Sequence, residues 1–348
     1  MVTSDHVILW AGGLNAVLAG GRAPRNNRAD SAVGAYMKVI GVTEFGGPEA
    51  LAIHEVPEPH AGPGQVRIKV RAIAVSPTDT GVRAGANAAV TAAKKPPYVP
   101  GMDAAGVIDE VGDGAGFSLG DEVMAMALPD GEHGGAYVSH LVADADSVAM
   151  IPAGTDLETA STLPMNGLTA MQALRLLDLQ PGQVLAVNGA AGTMGGYAIQ
   201  LAKHAGLTVV ADVAEKDRQI VEATGADHLV PRGDDVAQHI RGLYPDGVDG
   251  LLDAAVQNAL ALPAVKDGGG FATVRGFSGP TQRGITIHQV SVPADYHSDG
   301  KLDELRELVE DGQLSLRVAD VLPADRAAEA HTRLEAGGVR GRLVLVFD

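Results

Sequence analysis

The chain has 348 residues, of which 46% are hydrophobic and 20% are charged, so it is long and apolar enough for the cores of two domains and is not a disordered chain. Its formal net charge of −17 argues against nucleic acid or an anionic membrane as a partner, because both contacts depend on clustered Lys and Arg. The absence of cysteine excludes disulfides and thiolate zinc ligands, and it fits a reducing cytoplasm, where we expect the protein to reside.

Residues 1–36 are interpreted as a leader or upstream extension that is loosely ordered. The apolar run VILWAGGLNAVLAGG, Val7 to Gly21, has the length of a signal-peptide core, but Asp5 and His6 stand where such a peptide carries basic residues. No run approaches the roughly 20 apolar residues of a membrane span. We therefore expect the folded part to begin at Met37, in MKVIGVTEF.

Short apolar runs separated by Gly and Pro predict a β-rich domain from Met37 to about Asp156; examples are VRIKVRAIAV, AGVIDEVG and DEVMAMAL. From Leu157 the pattern changes. Nearly continuous apolar runs such as QVLAVNG and LTVVADV alternate with helical segments, which is typical of a parallel sheet covered on both faces. The sequence therefore predicts an α/β domain after the β-rich one.

The stretch VNGAAGTMGGYAIQLAKHAG, Val187 to Gly206, predicts a phosphate-binding turn between a strand and a helix. Its glycines give the pattern G-x-x-G-x-x-G, which lets the backbone turn tightly and approach a pyrophosphate, while N–H groups at the helix start receive the charge. A glycine triplet alone is weak evidence, but its place between strand and helix makes it more specific. The predicted phosphate contacts are Gly189, Ala191, Gly192, Thr193, Met194 and Gly195.

The next strand, LTVVAD, ends in Asp212, close to where a dinucleotide-binding fold reaches the adenosine ribose. A carboxylate there repels a 2′-phosphate, so Asp212 favours NADH over NADPH. Lys216 and Arg218 follow and are candidates for holding a 2′-phosphate, although acidic residues interleave with them.

Eight motifs in this order make the chain from Met37 onward resemble the medium-chain dehydrogenase/reductase superfamily, and within it the zinc-free quinone oxidoreductase (ζ-crystallin-like) branch. The motifs are SPTDTGVRAG, PYVPGMDAAGVIDEVG, GDEV, GGAYVSH, LPMNGLTAMQAL, GAAGTMGGYAIQLAK, GADH and GRLVLV. The resemblance implies a Rossmann-type doubly wound parallel sheet at residues 157–285. It also implies a β-rich GroES-like catalytic domain formed by residues 37–156 and 286–348.

In zinc-bearing members of this superfamily three side chains hold a catalytic metal, and by motif position those places are Ser76, Met102 and Met165. A hydroxyl and two thioethers are poor zinc donors. We therefore expect no metal site. The resemblance instead implies NAD(P)H, with NADPH the usual cofactor of the branch, against the preference for NADH that Asp212 indicates.

The resemblance also places candidate contacts to the substrate and the nicotinamide. Ser76 is expected to face the cleft, where the branch commonly has Asn, and the hydroxyl of Thr169 is expected to approach the nicotinamide. Tyr98 is the one aromatic donor candidate. Val274 and Gly276, at the end of a predicted strand, are expected to present backbone groups to the carboxamide. For Thr169, Tyr98 and the strand end, ordinary structural roles remain open.

An acceptor that is already activated needs only positioning and a hydride, and these chemical requirements point to a quinone or an α,β-unsaturated carbonyl. Two alternatives remain open: an enoyl-thioester reductase of a biosynthetic pathway, and a non-catalytic regulatory protein that binds NAD(P)H. The resemblance implies a homodimer formed through the cofactor domain, near Gly284 to Val292.

Overall fold

The computed structural model describes residues 35–86, 88, 94–131, 134–279 and 283–347. The predicted leader lies outside the described residues, apart from its last two positions. The first strand begins at Tyr36, one residue before the predicted start. Among the described helices none is both long and apolar enough to cross a membrane.

The first part of the described chain is β-rich, as predicted. In the third strand Val66, Ile68 and Val70 are buried while Lys69 is exposed, because alternate side chains point to opposite faces of a sheet. The elements are β1 Tyr36–Gly41, β2 Ala52–Pro57, β3 Gln65–Ala74, α1 Pro77–Ala84, β4 Asp103–Val111, β5 Glu122–Met126, β6 His140–Asp144 and β7 Val148–Met150.

The second part alternates strands with helices and forms a six-stranded parallel sheet. Its elements are α2 Leu157–Ala160, α3 Pro164–Leu177, β8 Val184–Asn188, α4 Thr193–His204, β9 Thr208–Val213, α5 Arg218–Glu222, β10 His228–Pro231, α6 Val236–Leu243, β11 Val248–Asp253, β12 Val265–Thr273 and β13 Thr286–Gln289. The strand order is β10-β9-β8-β11-β12-β13. The order reverses between β8 and β11, and ligands of such sheets bind at that point, beyond the carboxyl ends of the strands.

The parallel sheet extends slightly past the predicted limit of its domain at residue 285, because β13 pairs with β12. The sequence of β13, TIHQ, gives no continuous apolar run, since its outer two residues are exposed. The domain limits themselves stay predictions.

The chain then returns to the first sheet through α7 Lys301–Glu310, β14 Val318–Pro323, α8 Ala327–Ala336 and β15 Arg342–Val346. β15 pairs antiparallel with β3, so that sheet has the order β14-β15-β3-β4-β5-β7, with β6 also on β3. The predicted fold class, a doubly wound parallel sheet with a β-rich part, is confirmed.

One apolar cluster joins the two sheets. It contains Met102 and Met124 from the β-rich part, and Leu168 and Leu185 from the α/β part, all nearly or fully buried. Met165, at the start of α3, belongs to the same cluster. The positions that correspond to zinc ligands therefore lie where the two parts meet.

Candidate cofactor and active site

The phosphate loop connects β8 to α4 at the carboxyl edge of the parallel sheet. Gly189 has a φ of 79°, which residues with a side chain rarely adopt, and it turns the chain after the strand. The Gly192 amide donates a hydrogen bond of 2.9 Å to the Gly189 carbonyl oxygen, and α4 begins at the next residue. No described side chain caps α4, so its first N–H groups are available to an anion.

The loop glycines serve different purposes. A Cβ at Gly192 would meet the Gly189 carbonyl oxygen at a tight 3.2 Å and no second atom within 4 Å, so this position is less crowded than Gly195. A Cβ at Gly195 would collide with the same carbonyl oxygen. Gly195 is therefore required for packing α4 against the loop, whereas Gly192 suits the close approach of a pyrophosphate that the sequence predicts for both.

Asp212 fastens the loop to the next strand. Its side chain is 2% exposed, and Oδ1 accepts hydrogen bonds from the amides of Gly189 (2.7 Å) and Ala190 (3.0 Å). Oδ2 is buried and has no hydrogen-bond partner among the described residues. Burial raises the pKa of Asp212 above its ordinary value. One oxygen thus holds the loop and the other has no hydrogen-bond partner among the described residues; its predicted contact with a ribose hydroxyl stays a prediction.

The two predicted basic contacts are placed differently. Arg218 forms ion pairs with Glu215 (3.5 Å) and Glu222 (3.3 Å), so its own helix neighbours occupy it. Lys216 lies in a single turn of 3₁₀ helix before α5. Arg232, which the sequence analysis did not single out, approaches Asp212 Oδ2 to 3.9 Å from the end of the neighbouring strand.

A buried ion pair lies beside the three positions that correspond, by motif position, to the zinc ligands of zinc-bearing members of the superfamily. Arg342, on β15, donates to Asp103 Oδ2 over 2.7 Å and to the Val75 carbonyl oxygen over 3.0 Å. Asp103 Oδ1 in turn accepts from the Met165 amide over 2.6 Å. Because Val75 precedes Ser76 and Asp103 follows Met102, these contacts hold Ser76, Met102 and Met165 around one ion pair.

The donor set at this place does not fit zinc. Ser76 offers a hydroxyl, while the two methionines are 5% exposed and offer thioethers. Within the described ranges, no group of three His, Cys, Asp or Glu side chains is arranged to hold a metal ion.

Of the predicted catalytic residues, Ser76 and Thr169 are buried and engaged locally. The Ser76 amide donates to Asp79 Oδ2 over 2.8 Å, and the Ser76 hydroxyl accepts from Thr78 Oγ1 over 3.1 Å. Thr169 Oγ1 donates to the Met165 carbonyl oxygen over 2.6 Å, as threonine does inside helices. The Thr169 oxygen retains the capacity to accept a hydrogen bond.

Tyr98 is held by contacts within the β-rich part. Its ring stacks on Phe45 with centroids 4.8 Å apart, and its backbone bridges to Val42. The side chain lines a groove with Met37, Val56 and Lys95. These contacts support the structural role that the sequence analysis left open for Tyr98.

Val274 and Gly276 follow the end of β12, next to β11 in the sheet. Val274 packs against the apolar cluster that joins the two sheets. Gly276 has a φ of 72°, and a Cβ there would meet nothing within 4 Å. Their predicted backbone contacts to a carboxamide stay predictions.

Behind Ser76 lies a buried titratable chain that the sequence analysis missed. Tyr137 donates to Asp79 Oδ2 over 3.1 Å and its hydroxyl lies 3.0 Å from His331 Nε2. Burial raises the pKa of Asp79 to about 7 and lowers the pKa of His331 to about 4. His331 lies far from Asp79 in sequence, so no local spacing signals the contact.

Comparison with known proteins agrees with this geometry. Residues 62–153 match the family described as alcohol dehydrogenase GroES-like domain, and residues 224–345 match the family described as zinc-binding dehydrogenase. The protein is thus an oxidoreductase of the medium-chain dehydrogenase/reductase class.

A quinone oxidoreductase of Mus musculus is 28% identical over 338 residues, which cover 89% of this chain and 98% of that protein. An NADPH-dependent alkenal/one oxidoreductase of the Arabidopsis thaliana chloroplast is 29% identical, covering 92% of this chain and 82% of that protein. A solved mycobacterial structure in complex with NADPH has a TM-score of 0.79 and 27% identity, covering 89% of this chain and 100% of that one. The chain belongs to the zinc-independent quinone oxidoreductase branch of the superfamily, despite the zinc in the second family's description.

Proposed function

We propose that the protein is an NAD(P)H-dependent reductase that transfers hydride to a quinone or to an α,β-unsaturated carbonyl compound. The observation that carries this proposal is the set of side chains gathered by Arg342 and Asp103: Ser76, Met102 and Met165. These side chains offer an apolar wall and one hydroxyl, and they suit an acceptor that is already electron-poor. The relatives named for quinone and alkenal/one substrates support the same class of acceptor.

The residues around the phosphate loop fit a dinucleotide. The position of Gly192 is less crowded than that of Gly195, the first turn of α4 presents its N–H groups, and Asp212 keeps one buried oxygen without a hydrogen-bond partner among the described residues. The bound cofactor supplies a hydride, which is two electrons and one proton. The chain supplies binding, orientation and the exclusion of water by the two buried methionines. The second proton reaches the acceptor oxygen from solvent.

An acceptor panel tests the proposal. A simple benzoquinone, an alkyl enone and an enoyl-CoA are each assayed with NADH and NADPH, and aliphatic alcohols are assayed with the oxidised cofactors. We expect turnover of the quinone or the enone and none of the alcohols. Turnover restricted to enoyl-CoA would identify the thioester reductase, and cofactor binding with no turnover at all would identify a regulatory binding protein.

The preferred cofactor is proposed to be NADH. The carboxylate of Asp212 is held at the loop with one oxygen left over, in the position that reads ribose hydroxyls. The neighbouring Arg232 counteracts this preference because it brings a positive charge within 3.9 Å of the same carboxylate. The NADPH complex of the mycobacterial structure supports the other cofactor.

We further propose a homodimer that resides in the cytoplasm. β13 lies at the end of the parallel sheet with β12 as its neighbour there, so its outer edge is open to pairing with a second copy among the strands that the structure describes. Light scattering of the purified protein checks the dimer, because a monomer at all concentrations contradicts it. Fractionation of the source cells checks the location.

A further inference from the structure

Arg317 contacts the phosphate loop from the returning C-terminal segment, just before β14. Its Nη2 donates to the carbonyl oxygens of Ala191 (3.3 Å) and Gly192 (3.2 Å). A Cβ on Gly196 would lie 2.9 Å from the same nitrogen, so a glycine in the first turns of α4 makes room for the guanidinium. Arg317 therefore packs against the helix start that is predicted to receive the pyrophosphate.

The positive charge of Arg317 is not neutralised by a described carboxylate. Burial is the main influence on its pKa and lowers it, the nearby Arg340 lowers it further, and Tyr197 opposes them. Nη1 is buried and has no hydrogen-bond partner among the residues that the structure describes. A buried charge is unfavourable unless an opposite charge compensates it.

Two other arginines of this returning segment show the usual pairing with a carboxylate. Arg340 holds Asp217 through two contacts of 2.8 and 2.7 Å, and Arg342 holds Asp103 at 2.7 Å. Both are the bidentate or buried carboxylate pairs for which arginine is suited. Arg317 is partly buried and its Nη1 has no partner among the described residues, so an anionic ligand is able to supply the counter-charge that a carboxylate supplies to the other two.

The geometry of the peptide unit shows on which side that ligand lies. The C=O and N–H of one peptide point in opposite directions, so Arg317, which contacts the Gly192 carbonyl, lies opposite the Thr193 N–H of the same peptide. A donor on the carbonyl polarises the peptide and strengthens its N–H as a donor. The anion that gains from this arrangement binds at the N–H groups of the loop.

We propose that Arg317 is a positioning residue for the cofactor pyrophosphate: it holds the loop by two carbonyls and places an uncompensated positive charge behind the peptides that bind the phosphates. The inference rests on the dinucleotide binding proposed above and adds a residue outside the loop to that site. It predicts that charge at position 317, and not only hydrogen bonding to the carbonyls, sets the affinity for the pyrophosphate.

Three substitutions separate charge from hydrogen bonding. Arg317→Lys keeps the charge and a donor, Arg317→Gln keeps a donor without charge, and Arg317→Met keeps neither. Arg326→Met is the matched control, because Arg326 lies in the same segment but is half exposed and paired with Glu329. ADP and NADH are titrated into each protein by calorimetry, and the melting temperature of each is recorded.

We expect Arg317→Gln and Arg317→Met to weaken ADP and NADH binding about tenfold or more, whereas Arg317→Lys and Arg326→Met stay within about threefold of the unaltered protein. Binding of the Gln variant at the unaltered strength would overturn the proposal, since the hydrogen bond alone would then suffice. Failure of the unaltered protein to bind either nucleotide contradicts the proposed function instead.

Gly196→Ala provides a second route if the neutral variants do not fold. The added methyl group would lie 2.9 Å from Nη2 of Arg317, so the guanidinium has to move away from the loop while it keeps its charge. We expect weaker ADP binding with the melting temperature retained. Unchanged ADP affinity in this variant also contradicts the proposal.

Discussion

The two carboxylate oxygens of Asp212 have different surroundings. Its Oδ1 is committed to two loop amides, and only Oδ2 is left for a ligand. A substitution that removes the whole carboxylate therefore changes the loop as well as the charge. Asparagine is the sharper probe, because its carbonyl oxygen still accepts from the two amides.

Asp212→Asn is expected to shift the cofactor preference toward NADPH by at least about tenfold. A carboxylate about 4 Å from a 2′-phosphate costs up to about 4 kcal/mol at an effective dielectric near 20, and a tenfold loss of affinity requires only about 1.4 kcal/mol. Asp212→Ser is expected to shift it in the same direction. Both cofactors are titrated into each protein at fixed ionic strength; strong NADPH preference in the unaltered protein, with no change in either variant, would show that Asp212 does not read the ribose.

Asp79 and His331 are expected to give opposite pH dependences that cancel. The folded state raises the pKa of Asp79 from 3.8 to about 7, so stability from this group falls as pH rises through that window. It lowers the pKa of His331 from 6.5 to about 4, so stability from this group is lost as pH falls through that window. Between about pH 4 and 6.5 the two effects oppose each other.

In Asp79→Asn only the His331 effect remains. The free energy of unfolding of this variant, relative to that of the unaltered protein, is therefore expected to rise with pH. His331→Gln is expected to show the reverse slope, each up to about 1.4 kcal/mol per pH unit. Urea unfolding between pH 4.5 and 6.5 measures both. Parallel slopes in the two variants contradict the assignment.

At the scale of elements, the local patterns could be predicted and the contacts between distant segments could not. Alternation predicted the β-rich part, continuous apolar runs predicted the parallel sheet, and the glycine triplet predicted the loop between β8 and α4. β13 lies within the segment Gly284 to Val292, where a strand was expected, but a short strand with exposed ends carries too little pattern to give its bounds. The pairing of Asp103 with Arg342 and the contact of Arg317 with the loop join residues more than 100 positions apart, and no spacing signals them.

Two glycine variants of the phosphate loop serve as controls for one another. Gly192→Val is expected to weaken cofactor binding about tenfold or more and to lower the melting temperature less than Gly195→Val does, because its Cβ meets a single atom, the Gly189 carbonyl oxygen at 3.2 Å. Gly195→Val is expected to destabilise the protein by about 1 to 3 kcal/mol, because its side chain collides with the Gly189 carbonyl. Calorimetric titration and thermal melts measure both, and equal melting temperatures would contradict the separate roles.

At the scale of the whole molecule, two sheets share one apolar cluster, and Met102 and Met165 of the proposed substrate site belong to it. The junction is held by contacts between β15, the end of β3 and the start of α3. Ser76, Met102 and Met165 at this junction offer one hydroxyl and two thioethers, and these groups limit the reactions that the protein is able to catalyse without a metal.

Activity is therefore expected to survive prolonged chelation. Ser76, Met102 and Met165 give zinc one hydroxyl and two thioethers in place of the four N, O or S donors it prefers. Elemental analysis should find well under one zinc per chain, and the rate after treatment with a chelator should equal the rate before it. Stoichiometric zinc whose removal abolishes turnover would refute the proposed function.

The pairing of β15 with β3 also determines the order in which the parts of the protein fold during translation. Asp103 and Arg342 are 239 positions apart, which the ribosome takes about 10 to 50 s to translate at typical rates. The parallel sheet, complete at Gln289, has all its strands before β15 emerges. The nascent chain can therefore hold a finished nucleotide-binding sheet while Asp103 still lacks its cation, and the substrate side of the site is the last part of the enzyme to be assembled.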